Sequence, residues 1–182
     1  LLLVGLGNPG SNYTNTRHNI GFKIIDAINA HFKLSKQKPK FKGLLTTGNI
    51  DEKKIYAIKP LTFMNNSGTA IKELIDYFKI DAKDVFVFHD DLDIDFGKIK
   101  AKFGGSSAGH NGIESIDKFI GKEYSRVRIG IGHPKQKKKV NNHVLEDFKE
   151  DEEEKINEIT ENIVKQLPTL IGKKIDLFSS KV

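Results

Sequence analysis

The chain has 182 residues, 37% of them hydrophobic, and contains no cysteine. This length suits one well-buried core, so we expect residues 1–182 to form a single domain, and the lack of cysteine excludes disulfide bonds, thiolate metal sites and a cysteine nucleophile. The formal net charge of +6 favours an anionic partner such as a nucleic acid, although surface lysines that only increase solubility explain it equally well. No apolar run approaches the roughly 18 residues that span a bilayer, so we expect a cytoplasmic protein without a membrane partner.

Apolar periodicity predicts an alternation of strands and helices. In chain order, we expect a strand at residues 2–5, a helix at 20–32, a lysine-rich connector at 33–42, strands at 44–50 and 53–59 joined as an antiparallel hairpin, a helix at 67–78, a strand at 85–88, a strand at 98–103, a helix at 112–120 and a strand at 126–131. The tail from residue 142 is expected to be helical, with the acidic run 150–154 near a helix start, where negative charge complements the helix dipole. This order predicts an α/β fold: a three-layer α/β/α domain with a twisted, mixed, mostly parallel central sheet.

Directly after the first strand pattern, residues 5–10 read Gly-Leu-Gly-Asn-Pro-Gly and match the G-x-G-x-x-G fingerprint of dinucleotide-binding proteins. In that fingerprint the third glycine begins a helix, and a second strand ends in an acidic residue about twenty positions later. Here nine residues separate Gly10 from the first helical periodicity at Ile20, and the next strand pattern begins only at Leu44. A dinucleotide oxidoreductase is therefore a distant alternative. We favour a turn that holds the Asn8 amide at the carboxyl edge of the sheet, where ligand crevices form in α/β folds.

The sequence contains neither a complete calcium loop nor a catalytic zinc motif. Residues 91–95 read Asp-Leu-Asp-Ile-Asp and start like a calcium loop, but the sixth position is Phe96 instead of glycine and the twelfth is Lys102 instead of an acid. None of the six histidines has the H-E-x-x-H spacing of a catalytic zinc site. We expect neither a metal nor an organic cofactor.

His18 and Asp90 are candidates for a general base and its orienting acid. His18 follows the first turn and Asp90 ends an apolar strand, so both are expected at one rim of the sheet. The amides of Asn8, Asn65 and Asn111 are expected around the same rim, where they could bind a peptide group or a developing oxyanion. The chain has no G-x-S-x-G elbow and no cysteine, which favours water as the nucleophile. Each of these residues alone also has a structural explanation, as a core histidine, a turn residue or a helix cap.

Six sequence blocks closely resemble the bacterial-type peptidyl-tRNA hydrolases. The blocks are Asn8-Pro9-Gly10 with Tyr13, Thr16-Arg17-His18-Asn19, Thr62-Phe63-Met64-Asn65, His89-Asp90-Asp91-Leu92-Asp93, Gly109-His110-Asn111-Gly112 and Arg126-Val127-Arg128-Ile129-Gly130-Ile131-Gly132. They occur in the family's order and span residues 2–134, about three quarters of the chain. The last fifty or so residues carry no motif and add nothing to the assignment.

This resemblance implies an esterase that cleaves the bond joining a peptide to the 3′-terminal ribose of peptidyl-tRNA and so recycles tRNA from abandoned translation. It implies that His18 activates water, that Asp90 keeps this histidine basic, and that Asn8 helps to distinguish N-blocked from free aminoacyl groups. It implies no metal or cofactor, a monomer, and two sets of binding residues. The set matching substrate-binding positions is Tyr13, Phe63, Met64, Asn65 and Asn111, and the set matching contacts to tRNA phosphates of the 3′ end and acceptor stem is Lys100, Lys102, His110 and Arg128.

A non-catalytic RNA-binding module of the same fold is the alternative from another functional class. The presence of both His18 and Asp90 argues against it, because a protein that only binds RNA needs no base with an orienting acid. A second possible RNA site is the lysine-rich run 135–139, which is better explained as a solvated loop.

Overall fold

Strands and helices alternate along most of the chain in the computed structural model, which describes residues 1–134 and 140–182. In chain order the elements are β1 Leu2–Gly5, α1 Ile20–His31, β2 Lys38–Lys40, β3 Gly43–Ile50, β4 Lys53–Pro60, α2 Ser67–Phe78, β5 Val85–Asp91, β6 Ile99–Phe103, α3 Asn111–Ile120, β7 Ser125–Gly130, α4 Val140–Leu145, α5 Glu150–Ile171 and α6 Ile175–Lys181. The lysine-rich run 135–139, predicted as a solvated loop, lies outside the described residues.

The strands in the described part of the chain form one seven-stranded sheet in the order β2-β3-β4-β1-β5-β7-β6. The central strands β4, β1, β5 and β7 are mutually parallel, whereas β3 and β6 run antiparallel to their neighbours. The predicted α/β class with a mixed, mostly parallel sheet is confirmed. The predicted hairpin of β3 and β4 is also present.

Two sequence-based bounds are wrong in an informative way. The predicted connector at residues 33–42 contains β2, which pairs antiparallel with β3 at the edge of the sheet. All three β2 residues are exposed, so this strand needs only backbone hydrogen bonds on one side, has no alternating apolar pattern and tolerates Pro39. β5 continues three residues beyond its apolar part, because His89, Asp90 and Asp91 pair with β7 and are buried.

The core lies on both faces of the sheet, which is why its central strands are apolar without alternation. Alternate strand residues Leu3, Phe86 and Phe88 pack with the apolar faces of α1 and α5, including Ile24 and Ile163. Their neighbours in the strands, which are Leu2, Val4, Val85 and Val87, pack with α2 and α3 on the other face. Among the described residues, no helix is both long enough and apolar enough to cross a membrane.

A close backbone approach at the start of α1 places the turn that carries His18. A Cβ atom on Gly21 would lie 2.3 Å from the Leu6 nitrogen and 2.4 Å from the Phe88 oxygen. Only glycine therefore lets α1 rest directly on the backbones that leave β1 and β5. As a result, the 3-10 turn Arg17–Asn19 just before α1 lies beside the polar end of β5.

Arg17 ties this turn to the carboxyl-terminal helices. Its buried guanidinium donates to the carbonyl oxygens of His143 and Glu146 and to the Glu152 carboxylate, at 3.2, 3.3 and 2.9 Å. The acidic run expected near a helix start opens α5, where Glu152 also accepts the Lys149 backbone N–H at 2.8 Å. The tail therefore supports the active-site turn although it carries no motif.

Candidate active site

His18 and Asp90 meet at the rim of the sheet where β1 and β5 end. His18 Nδ1 lies 2.9 Å from both carboxylate oxygens of Asp90, and both side chains are buried. Because the carboxylate occupies Nδ1, the Nε2 atom of His18 is the one that remains to accept a proton. The structure thus brings together the two residues that the sequence pointed to.

The electrostatics of this pair suit a general base. Burial lowers the pKa of His18, but the charge of Asp90 and the hydrogen bond to it outweigh burial and hold this pKa above its ordinary value of 6.5. Burial alone would raise the pKa of Asp90, yet the neighbouring His18 and His110 hold it well below its usual range. Asp90 therefore stays ionised at neutral pH and favours the protonated form of His18 that a base must pass through.

His110 completes a buried group that we call the His-Asp-His cluster, made of His18, Asp90 and His110. Its Nε2 lies 3.0 Å from Asp90 Oδ1, and its ring centroid lies 4.9 Å from that of His18. Its Nδ1 accepts hydrogen bonds from the backbone at the start of α3. The tRNA-phosphate contact predicted for His110 would have to compete with these two partners.

The cluster has the residue types of a zinc site, and one ligand-type atom from each residue lies within 4.8 Å of the others. Both histidine nitrogens that face Asp90, however, lie at 2.9–3.0 Å from its oxygens, the separation of direct N–H···O hydrogen bonds. We assign the cluster as a hydrogen-bonded network on this geometry.

Asn8 is held by a backbone clamp that the sequence reasoning missed. The Asn19 amide accepts the Asn8 N–H at 2.8 Å and donates to the Asn8 carbonyl at 2.9 Å. Asn8 Oδ1 in turn accepts the Met64 N–H at 2.8 Å, so its Nδ2 group is the part of the side chain that can donate to a ligand. Asn19 follows His18 directly, which was the only signal for it: one buried turn holds both candidate residues.

A cleft of about 300 Å³ opens beside the cluster. It is bordered by His18 and Asp90 on the sheet side, by residues 107–111 ahead of α3, and by α4. Asn111 is exposed and lines this cleft, as do Asp93 and His133, which form an exposed pair at 2.8 Å. The contribution of α4 was not foreseen, because no family-like block extends past residue 134.

The remaining predicted substrate-binding residues lie in two short 3-10 turns. Tyr13 is half-buried in the turn Ser11–Tyr13, while Phe63 and Asn65 are exposed at the turn Met64–Asn66, Phe63 with 59% of its surface accessible. Met64 differs, because its side chain is only 5% accessible and packs in the core. Its backbone N–H, which binds Asn8, is the part closest to the predicted chemistry.

The predicted phosphate-binding side chains of Lys100, Lys102 and Arg128 lie on the paired strands β6 and β7, and we call them the basic strip. Lys100 is directly opposite Arg128, and Lys102 is directly opposite Arg126. Paired residues of antiparallel strands share a face, so these cations lie side by side. Burial, followed by the charges of Arg128 and Arg126, lowers the pKa of Lys102, which indicates a positive potential there.

The basic strip adjoins the cleft through the ion pair of Arg128 with Asp91. Arg128 Nε donates to Asp91 Oδ2 at 2.7 Å, and Asp91 lines the cleft beside Asp90. Arg126 is fully buried and bonded to Asp117 and to the Ser106 carbonyl, so it contributes charge to the strip without being exposed.

Comparisons with known proteins identify the family of the chain. A sequence model of the peptidyl-tRNA hydrolases matches residues 2–182. A peptidyl-tRNA hydrolase of Pelagibacter ubique is 72% identical over all 182 residues and 98% of its own length, and one of Ehrlichia ruminantium is 45% identical over 100% of this chain and 93% of its own. The crystal structure of peptidyl-tRNA hydrolase from Acinetobacter baumannii has a TM-score of 0.93 at 34% identity, covering 99% of this chain and 92% of that one. The chain belongs to the peptidyl-tRNA hydrolase family.

Proposed function

We propose that this chain hydrolyses the ester bond between the peptide and the 3′-terminal ribose of peptidyl-tRNA, with water as the nucleophile. Family membership over residues 2–182 supports the reaction. The observation that carries the mechanism is the buried His18–Asp90 hydrogen bond at 2.9 Å, which leaves His18 Nε2 as a base beside an open cleft. A non-catalytic RNA-binding module is not favoured, because such a protein gains nothing from a base held in this way.

In the proposed mechanism, His18 Nε2 removes a proton from water as the water oxygen attacks the ester carbonyl carbon. A new C–O bond forms, and the carbonyl oxygen becomes the oxyanion of a tetrahedral intermediate. The intermediate collapses, the bond to the ribose 3′ oxygen breaks, and His18 returns its proton to that oxygen. Asp90 stabilises the imidazolium that exists between these two proton transfers, as in other carboxylate–histidine pairs. The products are a free peptide carboxyl group and a free tRNA.

Three amides are proposed to bind the substrate around the reaction centre. Asn8 donates through Nδ2 to a carbonyl oxygen of the blocked aminoacyl group, since its Oδ1 is occupied by Met64. Asn111 at the cleft and Asn65 on its exposed turn bind the peptide backbone, and the Tyr13 and Phe63 rings pack against the substrate. An unblocked aminoacyl group has a free ammonium and therefore lacks the carbonyl on its nitrogen to which Asn8 donates. This difference accounts for the selection of N-blocked substrates.

The reaction is tested with N-acetylated and unblocked aminoacyl-tRNA carrying the same amino acid. We expect release of free tRNA from the blocked ester only, and a smaller difference between the two substrates in Asn8→Ala. Equal cleavage of both esters by the unmodified chain would contradict the role of Asn8. If the chain binds tRNA and releases nothing, the RNA-binding module replaces the enzyme.

The basic strip is proposed to hold tRNA backbone phosphates. Lys102→Ala is expected to weaken binding equally across tRNA species and to reduce the slope of log affinity against log salt by about 1, because one phosphate contact is lost. Lys38→Ala is the matched control, since this exposed lysine lies in β2 at the opposite edge of the sheet. Binding is measured by fluorescence anisotropy over a salt series. An unchanged slope in Lys102→Ala, or an equal change in the control, would place the RNA elsewhere.

The proposal extends to the oligomeric state, the cellular location and the domain count. The resemblance implies a monomer, and we propose that the chain acts as one cytoplasmic domain over residues 1–182. An acceptor stem needs access to the cleft and the basic strip at the same time, which supports the monomer.

A further inference from the structure

The proton on His110 can be located from the backbone groups that surround it. His110 is the N-cap of α3, and its Nδ1 lies 3.1 Å from the Gly112 nitrogen and 3.3 Å from the Ile113 nitrogen. Backbone N–H groups only donate, so Nδ1 must offer its lone pair and carries no proton. A neutral imidazole then carries its single proton on Nε2.

This tautomer determines what His110 does to Asp90. Its Nε2 lies 3.0 Å from Asp90 Oδ1, so the N–H donates to the same oxygen that His18 Nδ1 approaches at 2.9 Å. Asp90 is only 1% accessible, and water cannot readily replace either donor. The carboxylate is held between two rings, one of which is the proposed base.

We propose that His110 is a positioning residue that acts through Asp90: the start of α3 sets its tautomer, and its Nε2–H orients the carboxylate and limits its basicity toward His18. This inference rests on the proposed function, because it assigns the orientation of the acid that serves the catalytic base. It also links two parts of the site, since Asn111, the first residue of α3, directly follows His110. A shift at the start of α3 would therefore move the proposed substrate-binding amide of Asn111 together with the His110 N–H that donates to Asp90.

His89 and a few charged side chains complete the surroundings of His110. His89 packs its ring at 4.9 Å in a T-shaped contact and donates through Nδ1 to the Asp90 carbonyl at 2.7 Å. Burial is the largest cause that lowers the pKa of His89 well below its ordinary value, so His89 adds no positive charge. Asp91, Asp93 and His133 line the same cleft, and Glu114 lies one turn into α3, where its backbone N–H donates to the His110 carbonyl. Arg126 is paired with Asp117. The charge nearest to His110 is therefore the carboxylate that it serves.

Two substitutions distinguish the role of His110 as hydrogen-bond donor to Asp90 from its role as the N-cap of α3. His110→Asn keeps a good N-cap residue for α3, but its shorter side chain does not reach Asp90. His110→Gln places an amide N–H at nearly the distance of the histidine Nε2 and loses the cap geometry. We expect kcat to fall about 10- to 100-fold in His110→Asn, the size of one hydrogen bond to a charged group, with KM within about twofold of the unmodified chain. His110→Gln is expected to recover most of this loss.

The pH profile distinguishes positioning from a structural role. Without the His110 donor, Asp90 interacts more strongly with His18, which raises the pKa of His18 further and moves the acid limb of kcat/KM to higher pH. NMR titration of the His18 ring reads the same change without turnover, so it also tests the inference if the chain proves inactive on peptidyl-tRNA. A raised His18 pKa in His110→Asn that returns toward normal in His110→Gln supports the proposal. An unmoved His18 pKa in a folded His110→Asn overturns it, as does equal kcat for the two variants.

Discussion

Turnover of N-acetylaminoacyl-tRNA is expected to fall about 10²- to 10⁴-fold when His18 is replaced by alanine, the usual contribution of a general base. Alanine removes Nε2, the one atom of the His18–Asp90 pair that is left to accept the proton of water. The Kd for tRNA is expected to change less than twofold, because the substitution leaves the basic strip on β6 and β7 intact. Single-turnover rates and anisotropy titrations measure the two quantities separately.

A second variant distinguishes the loss of the base from a loss of folding. His18→Asn keeps an amide N–H near the place of Nδ1, so Asp90 retains a donor on that side while the base is missing. We expect His18→Asn to be as inactive as His18→Ala and to melt at a higher temperature, because it leaves the buried carboxylate better satisfied. Near-normal turnover in either folded variant would remove His18 from the proposed mechanism.

Replacing Asp90 with asparagine is expected to lower kcat/KM about 100-fold, less than the loss of the base itself, and to move its acid limb to lower pH. Asp90 is the cause that raises the pKa of His18, whereas burial, the largest cause, lowers it. With the carboxylate gone, burial acts alone and the pKa of His18 falls below 6.5. His18 acts as a base in its neutral form. A lower pKa of His18 therefore keeps the kcat/KM of the variant near its maximum value down to a more acidic pH. Profiles of kcat/KM from pH 5 to 9 report this pKa in the free enzyme.

Asp93→Asn is the matched control for this experiment. Asp93 also lines the cleft, but it is exposed and pairs with the exposed His133. The same change of charge at this position is expected to leave the acid limb in place, because solvent screens the pair. An acid limb of the kcat/KM profile that stays fixed in Asp90→Asn, or that moves equally in Asp93→Asn, would contradict the proposed pairing of Asp90 with His18.

Elements with a strong apolar pattern were predictable, and those without one were not. The helices α1 and α2 and the hairpin of β3 and β4 follow the predicted residues within one or two positions. β2 was missed because an exposed edge strand needs no apolar face. The polar half of β5 was missed because its burial depends on β7 and on the groups that bind its side chains.

The candidate site divides along a similar line. His18 and Asp90 were identifiable because each follows an apolar segment whose end had to lie at the same edge of a parallel sheet. The clamp of Asn19 on Asn8, the buried anchor at Arg17 and the contribution of α4 to the cleft left no pattern, since each depends on contacts between distant segments.

Sequence alone was therefore enough for the fold class, the order of the main elements, the family and the proposed base with its orienting acid, because these depend on local periodicity and on short blocks of adjacent residues. Tertiary packing was needed to decide how those residues are oriented. Asp90 receives hydrogen bonds from rings 72 positions before it and 20 positions after it, and no local pattern records which ring nitrogen carries the proton. That choice for His110 depends on backbone donors at the start of a helix, which exist only once α3 has formed against the sheet.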